Sequence, residues 1–320
     1  MTGPAVGPGS IAVMAFQLVV LVLLAPFVVG VMREVRARLE GRGGGRIGQP
    51  WRDLRKQLNK EALRPESSSW VYLGAPRVLL ATSLLLAAGA PFVSTAVPLD
   101  GAMDLFALVS LLLLGSVALA LAGLDTGTAF GGMGSSRSMT IAALAEPTIL
   151  LAGFALAVRV GSSNLGALIE ETQDNPGSVI SPAILLAAVA LALVIVAETG
   201  RLPVDNPSTH LELTMVHEAM VLEYGGPDLA KVELASSLRL TVLLGLWGNL
   251  FLPWGVATST DLLAVCGATA VFLVKLLGLA VVLATVEVFI AKWRLFRVPE
   301  LLAGSFLLAL LGVSTSFFLA

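Results

Sequence analysis

Residues 180–224 read ISPAILLAAVALALVIVAETGRLPVDNPSTHLELTMVHEAMVLEY, an apolar run followed at once by a charged loop. The apolar run, residues 180–197, has about the length that a helix needs to cross a bilayer. Charged residues make up only 13% of the chain, but they are concentrated in the 198–224 loop, which also holds both histidines of the protein. Its ionisable side chains are Glu198, Arg201, Asp205, His210, Glu212, His217, Glu218 and Glu223. The stretch indicates a membrane protein that concentrates its ionisable chemistry in one loop.

The composition sets the fold class. Apolar residues make up 56% of the chain, in long runs that a soluble globule could not cover. We therefore expect an all-α polytopic membrane protein, with residues 1–320 in a single integral membrane domain. The one cysteine, Cys266, lies in an apolar run, so we expect no disulfide and no metal, iron–sulfur or other cofactor bound by this chain. The net charge of −2 gives no reason to expect nucleic acid as a partner.

Eight apolar segments are predicted to span the bilayer as transmembrane helices. They are residues 11–31, 74–97, 102–123, 139–160, 180–197, 237–257, 262–286 and 300–319. The first segment lacks a basic start and a small-residue cleavage site, so we expect a retained span rather than a signal peptide. The sequence FLPWG, residues 251–255, either ends the sixth span or interrupts it.

The basic residues predict the orientation of these spans. Residues 31–65 hold ten lysines and arginines, and the other odd-numbered loops and their flanks raise the total to 18 of the 20 in the chain. Basic residues favour the cytoplasmic side of a membrane. We therefore expect the odd-numbered loops to be cytoplasmic and both termini to lie outside.

The first cytoplasmic loop is predicted to contain a short amphipathic helix. Trp51, Leu54, Leu58 and Ala62 recur at helical spacing, with basic residues around them, between Pro50 and Pro65. Such a helix either lies on the inner leaflet or also forms the edge of a docking site or cavity. The preceding glycines form a G-x-G-x-x-G pattern, but no strand precedes it, so a dinucleotide site is not expected.

Glu146 lies well inside the fourth predicted span, and Lys275 and Glu287 lie in or at the end of the seventh. A charge at this depth costs about 2.5–3.5 kcal/mol even on the mild insertion scale, so it normally faces a bundle interior or a hydrated path. Lys275 and Glu287 are about 18 Å apart along a helix and cannot pair directly. Glu146 or residues of the 198–224 loop are therefore the expected partners, either in a buried ion pair that fixes helix register or in an ion relay.

The 198–224 loop itself is predicted to contain a helix. Pro203 and Pro207 interrupt the preceding span, and Ser208 or Thr209 can cap a new helix that runs to about Glu223. His217 and Glu218 begin an H-E-x-x-H zinc motif, but Val221 stands where the second histidine is required, so a zinc protease is excluded. What remains is a set of carboxylates whose proton affinities would be coupled if they were crowded. Such a set is suited to gating ion uptake.

The residues also carry a resemblance to a known family. The 198–224 loop resembles the long cytoplasmic loop of the family that contains complex I subunit 1 and the membrane subunits of formate hydrogenlyase and other energy-converting nickel–iron hydrogenases. Further matches are Gly48–Gln49–Pro50 followed by Asp53, Lys56, Lys60 and Glu61, then Ala145–Glu146, and the AKWRLFRVP sequence of residues 291–299. The eight-span layout fits along nearly the whole chain. Complex I members usually read closer to E-x-N-R-x-P-F-D, whereas Gly200 and Val204 here resemble the hydrogenase branch.

The resemblance implies a subunit that anchors a peripheral redox arm to the inner membrane of a prokaryote and couples it to proton or sodium movement. Its implied partners are hydrogenase-like large and small subunits, which would carry iron–sulfur clusters and a nickel–iron site, and antiporter-like membrane subunits within the lipid bilayer. Quinone remains a possible ligand, which the departures at Gly200 and Val204 argue against.

The resemblance also assigns roles to residues. An acidic funnel would consist of Glu198, Arg201, Asp205, Glu212, Glu218 and Glu223, continued into the bundle by Glu146 and Glu287, and we add His217 and Lys275 to this ion path. Partner docking is expected at Gln49, Pro50, Asp53, Lys56, Lys60, Glu61, Arg294 and Arg297. Two alternatives stay open, a quinone-site subunit of respiratory complex I and a freestanding cation or proton transporter.

Overall fold

A computed structural model describes residues 7–62, 64–65, 68–205, 215–252, 254–291 and 297–319. Over these ranges the chain forms eleven α-helices and no β-strand. They are α1 (Pro8–Leu39), α2 (Gln49–Leu58), α3 (Trp70–Gly89), α4 (Leu105–Asp125), α5 (Ala129–Val160), α6 (Leu165–Asp174), α7 (Pro182–Glu198), α8 (His217–Val221), α9 (Gly226–Phe251), α10 (Leu262–Phe289) and α11 (Val298–Leu319). The all-α prediction is confirmed for this part of the chain.

Six of these helices, α1, α3, α4, α5, α10 and α11, are long and apolar enough to cross a membrane. They coincide with six of the eight predicted spans. The other two predicted spans are also helical, but α7 has only 17 residues and α9 carries several charged residues. The count of eight spans therefore stays a prediction.

Polar side chains fix where several helices begin. Ser69, Asp104, Thr128, Asn164 and Ser181 each accept a hydrogen bond from a backbone N–H in the first turn of the following helix. Such an N-cap typically contributes about 1 kcal/mol. Pro91 follows the end of α3 and helps to stop that helix at Gly89, eight residues before the predicted limit.

Helix α5 begins ten residues earlier than the predicted span, at Ala129 instead of residue 139. Its first turns are rich in glycine and serine, which argues against a lipid-facing helix. Gly131 and Gly134 let α5 approach its neighbours closely, since an added Cβ at Gly134 would lie 2.9 Å from the Cβ of Ala219 and from the carbonyl oxygen of Val216. Tertiary packing against α4 and α8 therefore extends this helix.

The bundle is organised around α5 and α9. Helix α5 packs against α4, α7 and α11, while α9 packs against α1, α3 and α10. The short α2 lies against α1 and α9, at the end of the bundle where the 198–224 loop begins. One large apolar core connects these helices and includes Leu21, Leu108, Ile149, Leu243 and Phe272.

The opposite end of the bundle is closed by buried amides. Gln17 donates to the carbonyl oxygens of Ala87 and Ala90 at 2.9 and 2.8 Å, and its carbonyl oxygen accepts from Val93 N at 3.0 Å. Asn249 donates to the carbonyl oxygen of Phe92 at 3.0 Å. These contacts satisfy the backbone that α3 exposes where it ends, as burial in a membrane protein requires.

Only part of the helix predicted within the 198–224 loop falls on described residues. Residues 206–214 lie outside the described part, and the described helix α8 covers only His217–Val221, because Met215 and Val216 are not helical. Helix α2, in turn, ends at Leu58 rather than near Pro65. It buries Pro50 and Leu54 and exposes most of its charged residues, but Leu58, which the apolar spacing placed on the same face as Leu54, is 57% exposed.

Candidate ion-coupling site

A cavity of about 750 Å³ lies between α1, α2, α9 and the start of the 198–224 loop. We call it the outer cavity. Apolar residues such as Val29, Met32 and Leu54 cover part of its wall. Its ionisable lining comprises Arg33, Arg36, Arg42, Lys56, Lys60 and Arg201, with Glu40, Asp53, Asp205, Glu218 and Glu233, and His217. The outer cavity is therefore densely charged but nearly balanced.

A second cavity of about 110 Å³, the inner cavity, lies behind the first. It is bounded by Ser116, Ile141, Ala142, Glu198 and Arg239, among others. The two cavities share five wall residues, Thr199, Gly200, Asp205, His217 and Ser236. This thin polar wall places the outer cavity next to the ion pairs of the bundle interior.

Asp205 and His217 form the centre of the shared wall. Asp205, which is buried, accepts hydrogen bonds from Val216 N at 3.3 Å and His217 N at 3.2 Å, so its carboxylate holds the first residues of α8. His217 Nε2 lies 3.4 Å from Ser236 Oγ on α9. Burial lowers the pKa of His217, while Glu218 and Asp205 oppose that effect. The imidazole is therefore held near a hydroxyl and between carboxylates.

Glu198, the last residue of α7, forms a buried ion pair with Arg239 of α9. The Arg239 guanidinium also donates to Ser116 Oγ at 2.7 Å and to the carbonyl oxygen of Leu112 at 2.9 Å. Three helices thus meet at one guanidinium. Burying two charges is expensive unless further hydrogen bonds satisfy them, and α4 supplies those bonds here.

Glu146 lies on α5, about one turn deeper than Ala142 of the inner cavity wall. It is only 5% exposed, and its Oε1 has no hydrogen-bond partner among the described residues. Glu198 and Arg239 both act on it electrostatically. A buried polar atom without a partner is costly, so Glu146 is an uncompensated acid next to the Glu198–Arg239 pair.

Glu287 is the acid of a second buried cluster. Its carboxylate is paired with Arg36 of α1 and lies 3.6 Å from Arg201 Nη1. Arg201 and Arg36 also line the outer cavity. The expectation that Glu287 takes a partner from the 198–224 loop is met by Arg201, and α1 adds a second partner.

Lys275 does not belong to this site, contrary to the expectation from the sequence. Its Nζ donates to Asn249 Oδ1 at 2.7 Å and to the carbonyl oxygen of Leu252 at 3.1 Å, at the far end of α9. It lines neither cavity. Neutral oxygens at a helix C-terminus satisfy this ammonium, where the helix dipole favours a cation.

The remaining predicted site residues are dispersed. Glu218 lines the outer cavity, but Glu223 is exposed and lines neither cavity. Glu212 and Arg294 lie outside the described residues. Of the expected docking residues, Pro50, Asp53, Lys56 and Lys60 line the outer cavity, whereas Gln49, Glu61 and Arg297 are exposed. Gln49 Nε2 donates to Asp53 Oδ1 at 2.8 Å.

Sequence reasoning missed Arg239, Arg36 and Ser236. Arg36 and Arg239 were counted only as basic residues that orient the spans. Arg239 lies inside the predicted span of residues 237–257, and the cost of a charge at that depth was the available signal. Nothing local to Ser236 marks it, because its role depends on the approach of α8 to α9.

The described residues place no group of three or more His, Cys, Asp or Glu side chains where it could hold a metal ion. The expectation of no metal and no cofactor in this chain stays a prediction, since part of the 198–224 loop is not described.

The family described as NADH dehydrogenase matches residues 11–316. Hydrogenase-4 component C of Escherichia coli (strain K12) is 32% identical over 296 residues, which cover 92% of this chain and 92% of that protein. Formate hydrogenlyase subunit 4 of the same organism is 31% identical over 296 residues, covering 92% of this chain and 95% of that protein.

Two further similarities are more distant. NADH-quinone oxidoreductase subunit 8 of Rhodothermus marinus is 26% identical over 254 residues, 75% of this chain and 72% of that protein. A chain of the membrane-bound sulfane sulfur reductase, an archaeal respiratory membrane complex, superposes with a TM-score of 0.83 at 20% identity, covering 95% of this chain and 98% of that chain. This last similarity establishes the fold alone.

Proposed function

The chain belongs to the NADH dehydrogenase family, and from that membership we propose that it is the membrane anchor and coupling subunit of a hydrogenase-like, formate hydrogenlyase-type oxidoreductase complex. In this role it links a peripheral redox arm to the movement of protons or sodium ions. The relatives at 31–32% identity, a hydrogenase-4 component and a formate hydrogenlyase subunit, support this branch of the family because the match extends over 92% of the chain.

The proposal rests on one observation, a series of polar groups that extends in space from the outer cavity to Glu146. It passes the Asp205–His217 wall, the inner cavity and the Glu198–Arg239 pair before it reaches an acid without a hydrogen-bond partner among the described residues. Charges in such a low-dielectric interior interact strongly. A charge change at the outer cavity would therefore shift the proton affinity of groups deeper in the bundle, which is the requirement for coupling.

The proposal includes a membrane arrangement. All eight predicted spans cross the inner membrane of a prokaryote, with α7 and α9 as the fifth and sixth, and both termini lie outside. Helix α7 packs against α5, α9 and α11, which lets a helix of 17 residues sit within the bundle. Helix α2 then lies at the cytoplasmic surface with its charged residues exposed.

The partners are inferred from the same membership. Hydrogenase-like large and small subunits would dock over α2 and the 198–224 loop and would carry the iron–sulfur clusters and a nickel–iron site. Antiporter-like membrane subunits would pack beside the bundle. Exposed Gln49, Lys56, Lys60 and Glu61 at the edge of the outer cavity suit a charged docking surface.

Purification in mild detergent tests the proposed function. We expect the tagged chain to co-purify from its native membranes with subunits that show iron–sulfur absorbance and contain nickel or iron. Recovery of the chain alone, as a monomer without a metalloprotein partner, contradicts the proposal. Ion flux by that isolated chain after reconstitution would instead identify a freestanding transporter.

A quinone-site function is the second candidate. The outer cavity has a volume within the range of about 300–1,000 Å³ that is usual for small-molecule sites, and one relative is an NADH-quinone oxidoreductase subunit. Small-molecule sites are mostly apolar, however, with few polar groups, and this lining carries eleven charged residues. Saturable binding of a quinone-site inhibitor by the intact complex would favour this second function.

A further inference from the structure

We propose that His217 carries protons between the outer and the inner cavity, as the transfer residue of the coupling path. This inference rests on the proposed function and names the group that performs one step in it. Among the five residues shared by both cavities, Thr199, Gly200, Asp205, His217 and Ser236, only Asp205 and His217 have ionisable side chains.

The geometry favours His217 over Asp205. The Asp205 carboxylate is occupied by the backbone N–H groups of Val216 and His217, which it holds in place at the start of α8. The imidazole of His217, in contrast, reaches across to Ser236 of α9, where the Nε2–Oγ distance is 3.4 Å. Its ring is therefore free to exchange protons while the backbone beneath it stays anchored.

The chemistry of the step requires no other reactant. A water-borne proton from the outer cavity adds to one ring nitrogen and gives an imidazolium, in which both nitrogens carry hydrogen. The other nitrogen then loses its proton towards Ser236 or water in the inner cavity, where Glu198 is the nearby carboxylate. One proton enters and one leaves, and the neutral ring returns to its first tautomer before the next transfer.

The surrounding charges set the protonation state of the ring. They are Glu198 at the end of α7, Arg201 and Asp205 beyond it, Glu218 on α8, Glu233 and Arg239 on α9, and Arg36 on α1. Burial and Arg239 lower the pKa of His217, and Glu218, Asp205 and Glu198 oppose them. The ring is thus neutral at rest near pH 7 and holds an added proton only briefly, as a transfer group must.

The fold around the shared wall does not depend on the imidazole of His217. Asp205 anchors the backbone at the start of α8, and Ala219 and Met220 bury the apolar side of this helix. Loss of the ring therefore removes the titrating group without removing the anchor. We expect His217→Ala to leave the complex assembled.

The test measures coupled proton movement by the intact complex in sealed proteoliposomes, with redox turnover monitored separately. His217→Ala is expected to slow proton movement by about a hundredfold, the lower range for loss of a positioned proton-transfer group, while the complex stays assembled. Added imidazole, which can enter through the outer cavity, should restore part of the rate. His217→Gln keeps a polar group near Ser236 but cannot titrate, so it should be as impaired as His217→Ala.

The following outcomes would overturn the inference. Unchanged coupling in His217→Ala, or normal coupling in His217→Gln, would reduce His217 to a hydrogen-bonding residue, and the glutamine variant decides the matter if the alanine variant does not assemble. Glu198→Gln distinguishes a failure of the His217 inference from a failure of the proposed function. If it abolishes coupling while the His217 variants do not, only the inference fails, and if neither has an effect, the proposed function fails as well.

Discussion

At the scale of single residues, this protein tolerates charge in its interior by giving each charge a specific set of partners. Arg239 has a carboxylate, a hydroxyl and a carbonyl oxygen, and Glu287 has two guanidinium groups. Lys275 has two neutral oxygens. Glu146 differs from Glu198 and Glu287 because it forms no ion pair in the described part of the chain, and its Oε1 has no hydrogen-bond partner there. The charge of Glu146 therefore has no direct counter-charge in the described part of the chain.

Removal of Arg239 should therefore be costly. We expect Arg239→Gln to destabilise the chain by about 3–5 kcal/mol, because it leaves the Glu198 carboxylate buried without its counter-charge. Thermal unfolding of the detergent-solubilised complex, compared with the unsubstituted protein, measures this effect.

Two controls accompany this measurement. Arg38→Gln removes an i,i+4 ion pair whose arginine side chain is 74% exposed, so it should cost no more than about 1 kcal/mol. The double variant Glu198→Gln with Arg239→Gln should recover part of the loss, since neither charge remains. Equal losses in the two single arginine variants would show that Arg239 is not a buried partner.

At the scale of elements, glycine governs how α1 meets the turn that leads to α2. Gly30 is buried on α1, and a Cβ added there would overlap the carbonyl oxygen of Ile47. Gly44 likewise lies directly against the Glu34 carboxylate. Gly30 and Gly44 thus allow the close packing that positions α2 at the edge of the outer cavity, whereas an added Cβ at Gly43, Gly45 or Gly48, the glycines of the G-x-G-x-x-G pattern, would meet nothing within 4 Å among the described residues.

Gly30→Ala is expected to push this turn away from α1. The substitution overpacks a backbone contact, which typically costs about 1–3 kcal/mol. Limited trypsin digestion of the complex should then cleave faster at Arg42 and Arg46, which both lie within the displaced turn.

Gly74→Ala is the matched control. Gly74 also lies in a membrane-spanning helix, α3, but no heavy atom of the described residues lies within 4 Å of an added Cβ. This variant should be neutral or slightly stabilising, because alanine favours a helix more than glycine does. Equal trypsin sensitivity of the two variants would contradict the role given to Gly30.

At the scale of the whole molecule, two polar systems occupy opposite ends of the bundle. The outer cavity and its ion pairs lie at the end that carries α2 and α8. Gln17, Asn249 and Lys275 lie at the other end, where Gln17 and Asn249 donate to backbone carbonyl oxygens near the end of α3, and Lys275 donates to the Asn249 side chain. The distribution of basic residues predicts that the first of these ends faces the cytoplasm.

Cysteine labelling tests this orientation. In a Cys266→Ser background, Asn59→Cys after α2 should react with a membrane-impermeant maleimide only in inside-out vesicles. Asp174→Cys, exposed at the end of α6, should react only in intact spheroplasts. Cys266 is the single cysteine of the chain, so the background carries no competing thiol. The reverse pattern would invert the proposed topology.

The sequence predicted most of the fold because membrane helices are specified locally. An apolar run of sufficient length must form a helix in lipid, whatever its neighbours are. The limits of α10 and α7 fall close to the predicted ones for this reason. The start of α5 was placed ten residues late, because glycine packing against α4 and α8 extends it. In the described part of the loop, Met215 and Val216 are not helical, and the carboxylate of Asp205, which is distant in sequence, accepts the N–H of Val216 at the start of α8.

The candidate site divides in the same way. Glu146, Glu198, Arg201, Asp205, His217 and Glu287 were identified from the sequence by the cost of ionisable groups in an apolar chain and by resemblance. The sequence did not predict that these residues form two clusters. It also did not predict that Lys275 lies elsewhere, or that Arg36, Arg239 and Ser236 belong to the site. The sequence alone determined that this is a helical membrane protein with costly buried charges, because burial cost is a property of each residue. Only the tertiary structure decided which charges meet, because pairing depends on how α1, α7, α9 and α10 pack.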